Sequence, residues 1–201
     1  MDFRQVRAAL AVRPATRVTD AVRSRAAVAI VLREGSEGLE ALFIRRAEHP
    51  RDPWSGQVAF PGGRSEPGDA DLAETARRET LEEIGLDLGQ AAERLGPLDE
   101  VRAMARLRPM DLSIMPFVYR LREAVPATLS PEVTSLHWLP LRALLDPAAA
   151  STMEYVQEAT TLRFPSLDVG GLVIWGLTYR MFTGLAERLR EAGVAAGQAA
   201  S

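Results

Sequence analysis

Cysteine is absent from the chain, and so is lysine; all 24 basic residues are arginine. Without cysteine there is no disulfide, no thiolate nucleophile and no zinc–thiolate site. Without lysine there is no Schiff-base amine and no P-loop lysine. The only histidines are His49 and His137, which excludes a multi-histidine metal centre. No Gly-x-Ser-x-Gly occurs, which argues against a serine hydrolase of that type. Apolar runs such as Ala26–Leu32 are far too short to span a bilayer. The opening MDFRQVRAAL lacks a signal-type apolar stretch, so a cytoplasmic protein is expected. Net charge is 24 − 27 = −3, which offers no general attraction to nucleic acid or to an anionic membrane. Carboxylates, arginines and hard metal ions are what remains for chemistry.

What is present reads as one globular domain over residues 1–201, with 47% hydrophobic and 25% charged residues. Phe3, Val6 and Leu10 fall at helical spacing. Residues 25–33 read as a buried strand, with Val28, Ile30 and Val31 supplying β-branched bulk. A turn over residues 34–38 returns the chain into a strand over 39–46, a hairpin whose five-residue loop fixes no register. Residues 49–68 read as an ordered loop with a short strand at 57–60. A helix is expected over 70–84, with Asp71 as N-cap, Glu74 completing a capping box and Gly85 at its end. Its apolar stripe is Ala73, Ala76, Thr80 and Ile84. Further strands are expected over 93–104, 112–121, 133–139 and 160–164, and a short helix over 141–145. A helix over 173–192 buries Trp175, Thr178, Phe182, Leu185 and Leu189 on one face, and a tail from about 193 is expected to fray. This order suggests an α/β layered domain rather than repeated βαβ units.

The chemistry concentrates in Arg77–Leu86. Glu79, Glu82 and Glu83, spaced i, i+3, i+4, share an arc of roughly 100° on one helix face. Converging carboxylates suit a hard divalent cation, which takes oxygen ligands and completes its shell with water. The competing reading is a solvated face of salt bridges, since Glu74 precedes Arg77 and Arg78 by three and four residues. Two features favour the metal. Glu79 and Glu83 repel at i, i+4, and Phe60-Pro61-Gly62-Gly63 just upstream lets backbone approach a ligand closely.

The stretch FPGGRSEPGDADLAETARRETLEEIGL resembles the Nudix box, which begins about residue 63 and ends at 86. Gly63, Arg78, Glu79, Glu82, Glu83, Gly85 and Leu86 match its pattern. Thr80 stands where an aliphatic residue is usual. The first acidic position falls on Asp69, eight residues before Arg78 rather than seven. The resemblance implies a mixed β-sheet sandwiched between helices, and hydrolysis of a diphosphate linked to a further moiety. It also implies that Glu79, Glu82 and Glu83 hold Mg²⁺ or Mn²⁺, with the Gly62 carbonyl as a further ligand. Arg78 would then tie the helix to the loop carboxylates, in an orienting role. Many Nudix enzymes carry a glutamate in the loop matching Glu132, as ligand or general base; the alternative for Glu132 is an exposed loop carboxylate. Which of Glu132, Glu82 and Glu83 acts as base is left open.

A second resemblance lies upstream. Arg45-Arg46-Ala47, Arg51 and Gly56 to Gly63 resemble the element preceding the box in coenzyme A pyrophosphatases. Ile44 replaces its threonine, and four residues rather than three separate Arg51 from Gly56. Trp175-Gly176-Leu177-Thr178 is similar to that subfamily's Trp-Gly-Leu-Thr segment. Coenzyme A carries a 3′-phosphate besides its diphosphate, and planar guanidinium groups pair bidentately with phosphate. Arg45, Arg46 and Arg51, with Gly63, are therefore the candidate substrate-binding residues, against the alternative of solvent-facing strand arginines. Trp54 is a candidate to stack on adenine, or to pack its loop; His137-Trp138 reads as strand packing. The resemblance implies a small-molecule diphosphate substrate, with the protein acting as monomer or homodimer. Other Nudix substrates, namely ADP-ribose, a dinucleotide or a damaged nucleoside triphosphate, and a non-catalytic Nudix module are the competing readings.

Overall fold

The computed structural model describes residues 1–49, 55–105, 108–157 and 160–194. Along the chain run α1 (Phe3–Ala11), β1 (Ser24–Gly35), β2 (Gly38–Arg46), β3 (Val58–Ala59), β4 (Gly62–Arg64), α2 (Leu72–Ile84) and α3 (Leu88–Ala91). Then follow β5 (Ala92–Pro97), β6 (Val101–Ala105), β7 (Arg108–Leu121), β8 (Val133–Pro140) and α4 (Leu141–Leu145). A 3₁₀ turn leads into β9 (Ala150–Gln157), β10 (Thr160–Val169), β11 (Leu172–Trp175) and α5 (Gly176–Glu191).

The main sheet runs β3-β2-β1-β7-β5, with β4 also on β1, β6 on β7 and β8 on β2. β1 and β7 pair in parallel and the other pairs are antiparallel, so the sheet is mixed. β1 explains the layering. Its residues Ala26–Leu32 are all buried, and alternate side chains of a strand face opposite ways. Val28, Ile30 and Leu32 pack with residues of α1 and α5, including Val6, Phe182 and Leu185. Ala27, Ala29 and Val31 pack on the other face with Ala73, Ala76 and Ile84 of α2. Helices thus cover both faces of a mixed sheet, the architecture expected.

Several boundaries differ from the sequence reading. The β1–β2 hairpin closes through two residues, Ser36 and Glu37, because Gly35 pairs with Gly38. Gly38 takes φ +109°, which lets the turn stay short. The strand expected over 93–104 is two strands, broken at Leu98–Glu100. β4, β9 and β11 were not anticipated. Residues 173–175 join β11 rather than the last helix, which begins only at Gly176 (φ +62°). At the end of α5, Gly193 and Val194 donate to the carbonyls of Arg190 and Leu189. The rest of the tail lies outside the described residues.

One buried cation fastens α5 to the N-terminal segment. Arg188 has no exposed side-chain surface. It donates to the carbonyls of Leu10, Arg13 and Pro14 and to Asp99 Oδ1 at 3.0 Å. Asp99 also receives both terminal nitrogens of Arg13, at 2.8 and 2.7 Å, and the backbone N–H and hydroxyl of Thr16.

Candidate active site

The site is built where α2 lies across β4. Asp71 caps the helix by accepting from the Glu74 N–H at 2.8 Å. Glu74 turns its carboxylate to Arg77 at 2.8 Å, so this end shows a side-chain N-cap bond and a surface ion pair rather than the expected capping box. Gly85 ends the helix at φ +69°, the left-handed closure that glycine accepts without strain. Thr75 and Thr80 are buried with Ala73 and Ala76 on the sheet side, and Thr80 donates to the Ala76 carbonyl. A threonine at the unusual box position is therefore satisfied within its own helix.

Two glycines let β4 fit between β1 and α2. A Cβ on Gly62, which has φ +148°, would lie 2.3 Å from the Ala27 carbonyl oxygen. A Cβ on Gly63 would lie 2.4 Å from the Glu79 carboxyl carbon. The Gly62 N–H donates to Glu83 Oε2 at 2.9 Å. Gly63→Ala is thus expected to push Glu79 out of place. Its signature is a fall in turnover of roughly tenfold or more with only a modest loss of melting temperature, since the clash is with a side chain that can move. Unchanged kinetics would show that the position of Glu79 is immaterial.

Glu83 is 4% exposed. Burial pushes its carboxyl up to about 7. The Gly62 N–H and the Arg46 guanidinium, 3.6 Å away, oppose this; the charges of Glu79 and Glu132 add to it. Burial also raises Glu79, against the pull of Arg78. Glu82 is exposed.

Arg78 joins these parts. It donates to Asp69 at 2.9 and 3.2 Å, to the Arg64 carbonyl at 2.9 Å, and to Glu79 and Glu82 at 3.1 Å each. Asp69 also accepts from the Thr75 hydroxyl and the Glu66 N–H. Arg78 holds the Asp69 carboxyl well below the usual carboxylate range. This bidentate Arg–carboxylate pair, with the bond to the Arg64 carbonyl, fixes the loop over residues 64–69 to the helix.

The pattern of the NUDIX domain matches residues 23–159. The chain belongs to the Nudix hydrolase family. It is 31% identical over 153 residues to NudL of Yersinia pestis (strain Pestoides F), described as an uncharacterized Nudix hydrolase; the match covers 74% of this chain and 71% of that one. A MutT/nudix family protein from Enterococcus faecalis shares the fold at TM-score 0.53 and 18% identity, over 84% of this chain and 62% of that chain. The M. smegmatis Nudix hydrolase RenU does so at TM-score 0.50 and 16% identity, over 89% and 91%.

Within this Nudix fold the box residues Glu79, Glu82, Glu83 and Arg78 converge with Gly62 and Gly63. Among the described residues, no three acidic or histidine side chains close into a ready-made metal cage; Arg78 stands between Glu79 and Glu82. Glu132 is exposed, and its carbonyl accepts the Ala47 N–H at 2.8 Å, just past the end of β2. The Ser130 N–H meets the Glu83 carbonyl at 2.9 Å. The 130–132 loop therefore borders the glutamate helix.

Arg46 lines a cleft of about 220 Å³ with Gln57, Gly62, Gly63, Leu177 and Thr178. Arg45 instead faces a neighbouring cleft, its Nη1 reaching the Gly56 carbonyl at 3.3 Å. The structure thus separates the two arginines. Arg51 and Trp54 lie outside the described residues. His137 shares a 2.8 Å hydrogen bond with Ser135, and burial together with the Arg45 charge lowers its pKa. The sequence reading did not single out Gln57, which lines both clefts; its place in the short strand over 57–60 and in the stretch 56–63 that resembles coenzyme A pyrophosphatases was the available signal.

Proposed function

We propose that the protein is a cytoplasmic, metal-dependent pyrophosphohydrolase, active as one Nudix domain, that hydrolyses the diphosphate of coenzyme A or its derivatives. The observation that carries the reading is a meeting of distant segments. The stretch 56–63 and the stretch 175–178 both resemble coenzyme A pyrophosphatases. More than a hundred residues apart in sequence, they line one cleft through Gln57, Gly62, Gly63, Leu177 and Thr178.

The donor set fits a hard divalent cation. Glu79 and Glu83 offer carboxylate oxygens largely withdrawn from water, and burial raises both carboxyls, a cost that a bound cation would offset. Glu79, Glu82 and Glu83 would hold Mg²⁺ or Mn²⁺, with the Gly62 carbonyl as a further ligand. When bound, the ion supplies charge neutralisation of the diphosphate and a bound water of lowered pKa. The remaining work falls to the chain. Arg46 attracts a diphosphate oxygen toward the cleft and Gly63 lets it approach the backbone. Arg78 keeps Glu79 and Glu82 oriented. One of Glu132, Glu82 and Glu83 takes the proton of the attacking water, Glu132 from the loop that borders the glutamate helix. Water adds to one phosphorus, the bridging P–O bond breaks, and each product leaves with one phosphate of the former diphosphate.

The test is a hydrolysis screen of diphosphate compounds with Mg²⁺ or Mn²⁺, products identified by mass spectrometry. Coenzyme A should give 4′-phosphopantetheine and adenosine 3′,5′-bisphosphate. Activity should vanish with EDTA and return on adding the metal. It should also withstand thiol-alkylating reagents. Hydrolysis of ADP-ribose, a dinucleotide or a nucleoside triphosphate in preference to coenzyme A would replace the substrate but keep the reaction. Turnover that survives complete metal removal would overturn the reaction itself.

A further inference from the structure

Beside the cleft of Arg46 lies a second one, of about 560 Å³, lined by residues of β2, β3, β9 and β11. Its walls include Arg45, Gln57, Met153, Tyr155, Val173 and Trp175. Gln57 belongs to both clefts, so they share a wall and one extended molecule can enter both.

The lining has a definite chemical character. Trp175 is half-buried at the centre of an aromatic group. The Tyr155 ring lies 5.9 Å from it, tilted by 33°, and the Phe164 ring lies 5.7 Å away, tilted by 43°. Tyr155 is 37% exposed, a large apolar surface left open at the cleft. Aromatic faces of this kind bind planar rings by stacking, with little dependence on which base is offered. Among the described residues that line this cleft, Arg45 carries the positive charge. Among the described residues it pairs with no carboxylate, and its hydrogen bond to the Gly56 carbonyl leaves guanidinium donors unused. An arginine without a carboxylate beside an aromatic floor suits a ring that carries an anion.

We propose that this second cleft is the nucleoside subsite: the base stacks on Trp175 and Tyr155, and a phosphate on its ribose is held by Arg45. The proposal rests on the reading of the neighbouring cleft as the diphosphate site and states which end of the substrate lies on the β9–β11 side. Arg46 then serves the scissile diphosphate, and Arg45, the adjacent residue on β2, serves the terminal phosphate.

Direct binding to the 201-residue chain tests this without turnover. The probes are adenosine 3′,5′-bisphosphate, adenosine 5′-monophosphate and 4′-phosphopantetheine, titrated calorimetrically. Trp175→Ala should weaken both adenosine compounds by about tenfold or more and leave 4′-phosphopantetheine within twofold. Because Trp175 precedes α5, the exposed Tyr155→Ala is the companion variant, expected to weaken the adenosine compounds severalfold in a fold verified by circular dichroism. Arg45→Ala should weaken the bisphosphate by about tenfold more than the monophosphate. Adenosine binding unchanged in both aromatic variants would overturn the proposal. So would a loss confined to 4′-phosphopantetheine, which would give the cleft to the other half of the substrate. If the wild-type protein binds the adenosine compounds through these residues yet cleaves no coenzyme A, the subsite stands and the substrate assignment falls.

Discussion

Glu83→Gln is expected to lower kcat by 10²-fold or more while making the metal-free protein more stable above pH 7. The amide nearly matches the carboxylate in size, and its oxygen can still accept the Gly62 N–H that now reaches Glu83 at 2.9 Å. What it lacks is charge. A 10²-fold loss corresponds to about 2.7 kcal/mol of transition-state stabilisation. The stability gain has the opposite sign for an electrostatic reason. In the fold, burial raises the Glu83 carboxyl to about 7, above its value of about 4.3 in an unfolded chain. The protonated form is thus the one the fold favours. Stability from this group is full below about pH 4 and is lost as pH rises through 7. Glutamine never ionises and escapes that loss. The measurements are steady-state kinetics with Mg²⁺ and thermal melts in EDTA from pH 5 to pH 8. Normal kcat in a folded variant would remove Glu83 from the chemistry. A lower melting temperature at pH 8 would mean that its contact with Arg46, 3.6 Å away, outweighs the cost of its burial. Glu82, exposed on the same helix, should show no comparable stability gain when changed to glutamine.

That contrast between Glu82 and Glu83 was not visible in the sequence. Helical periodicity gave the face they share, together with the Asp71 cap, the Gly85 stop and the buried stripe of Ala73, Ala76, Thr80 and Ile84. These are properties of a helix alone. Which glutamate is buried depends on where β4 lies, and three residues rich in glycine carry no strand signal. β4 exists because β1 offers it a pairing edge, Val28 to Gly62 and Ala27 to Gly63, a tertiary fact. The same reasoning accounts for the start of α5. Val173, Ile174 and Trp175 fit a helix or a strand equally by periodicity, and the partner β10 decides for strand. The separation of Arg45 from Arg46 was in principle readable, since neighbours on a strand face opposite ways, but not which of them would meet the glutamates. Asp69 was legible as the displaced acidic position of the box. Its partners were anticipated only in part, because the loop fold that brings Glu66 and Thr75 to it has no periodic signature.

Asp99→Asn is expected to cost about 3 kcal/mol or more of folding stability at neutral pH, read as a shift of the urea midpoint at constant m-value. Arg188 is fully buried and faces one carboxylate, Asp99, at 3.0 Å. Its other bonds go to the carbonyls of Leu10, Arg13 and Pro14. Removing the negative partner of a buried cation leaves an uncompensated charge, a change that typically costs about 3–5 kcal/mol. Asp99 also holds Arg13 in a two-pronged pair, so the variant leaves two guanidinium groups around a neutral amide. These contacts hold the Asp99 carboxyl well below the usual carboxylate range, hydrogen bonding from Arg13 being the largest cause. The folded value is thus lower than the unfolded one. Stability from Asp99 is present above about pH 4 and is lost as pH falls through the folded value. The deficit of the asparagine variant should therefore narrow in acid, as the wild type surrenders what the variant never had. A loss below about 1 kcal/mol at pH 7 would class the network with ordinary surface pairs. The effect should reach the candidate active site through α5, whose first turn supplies Leu177 and Thr178 to the cleft lined by Arg46, Gly62 and Gly63. A loosened α5 should raise KM more than it lowers kcat, because the glutamates on α2 stay where β1 and β4 hold them.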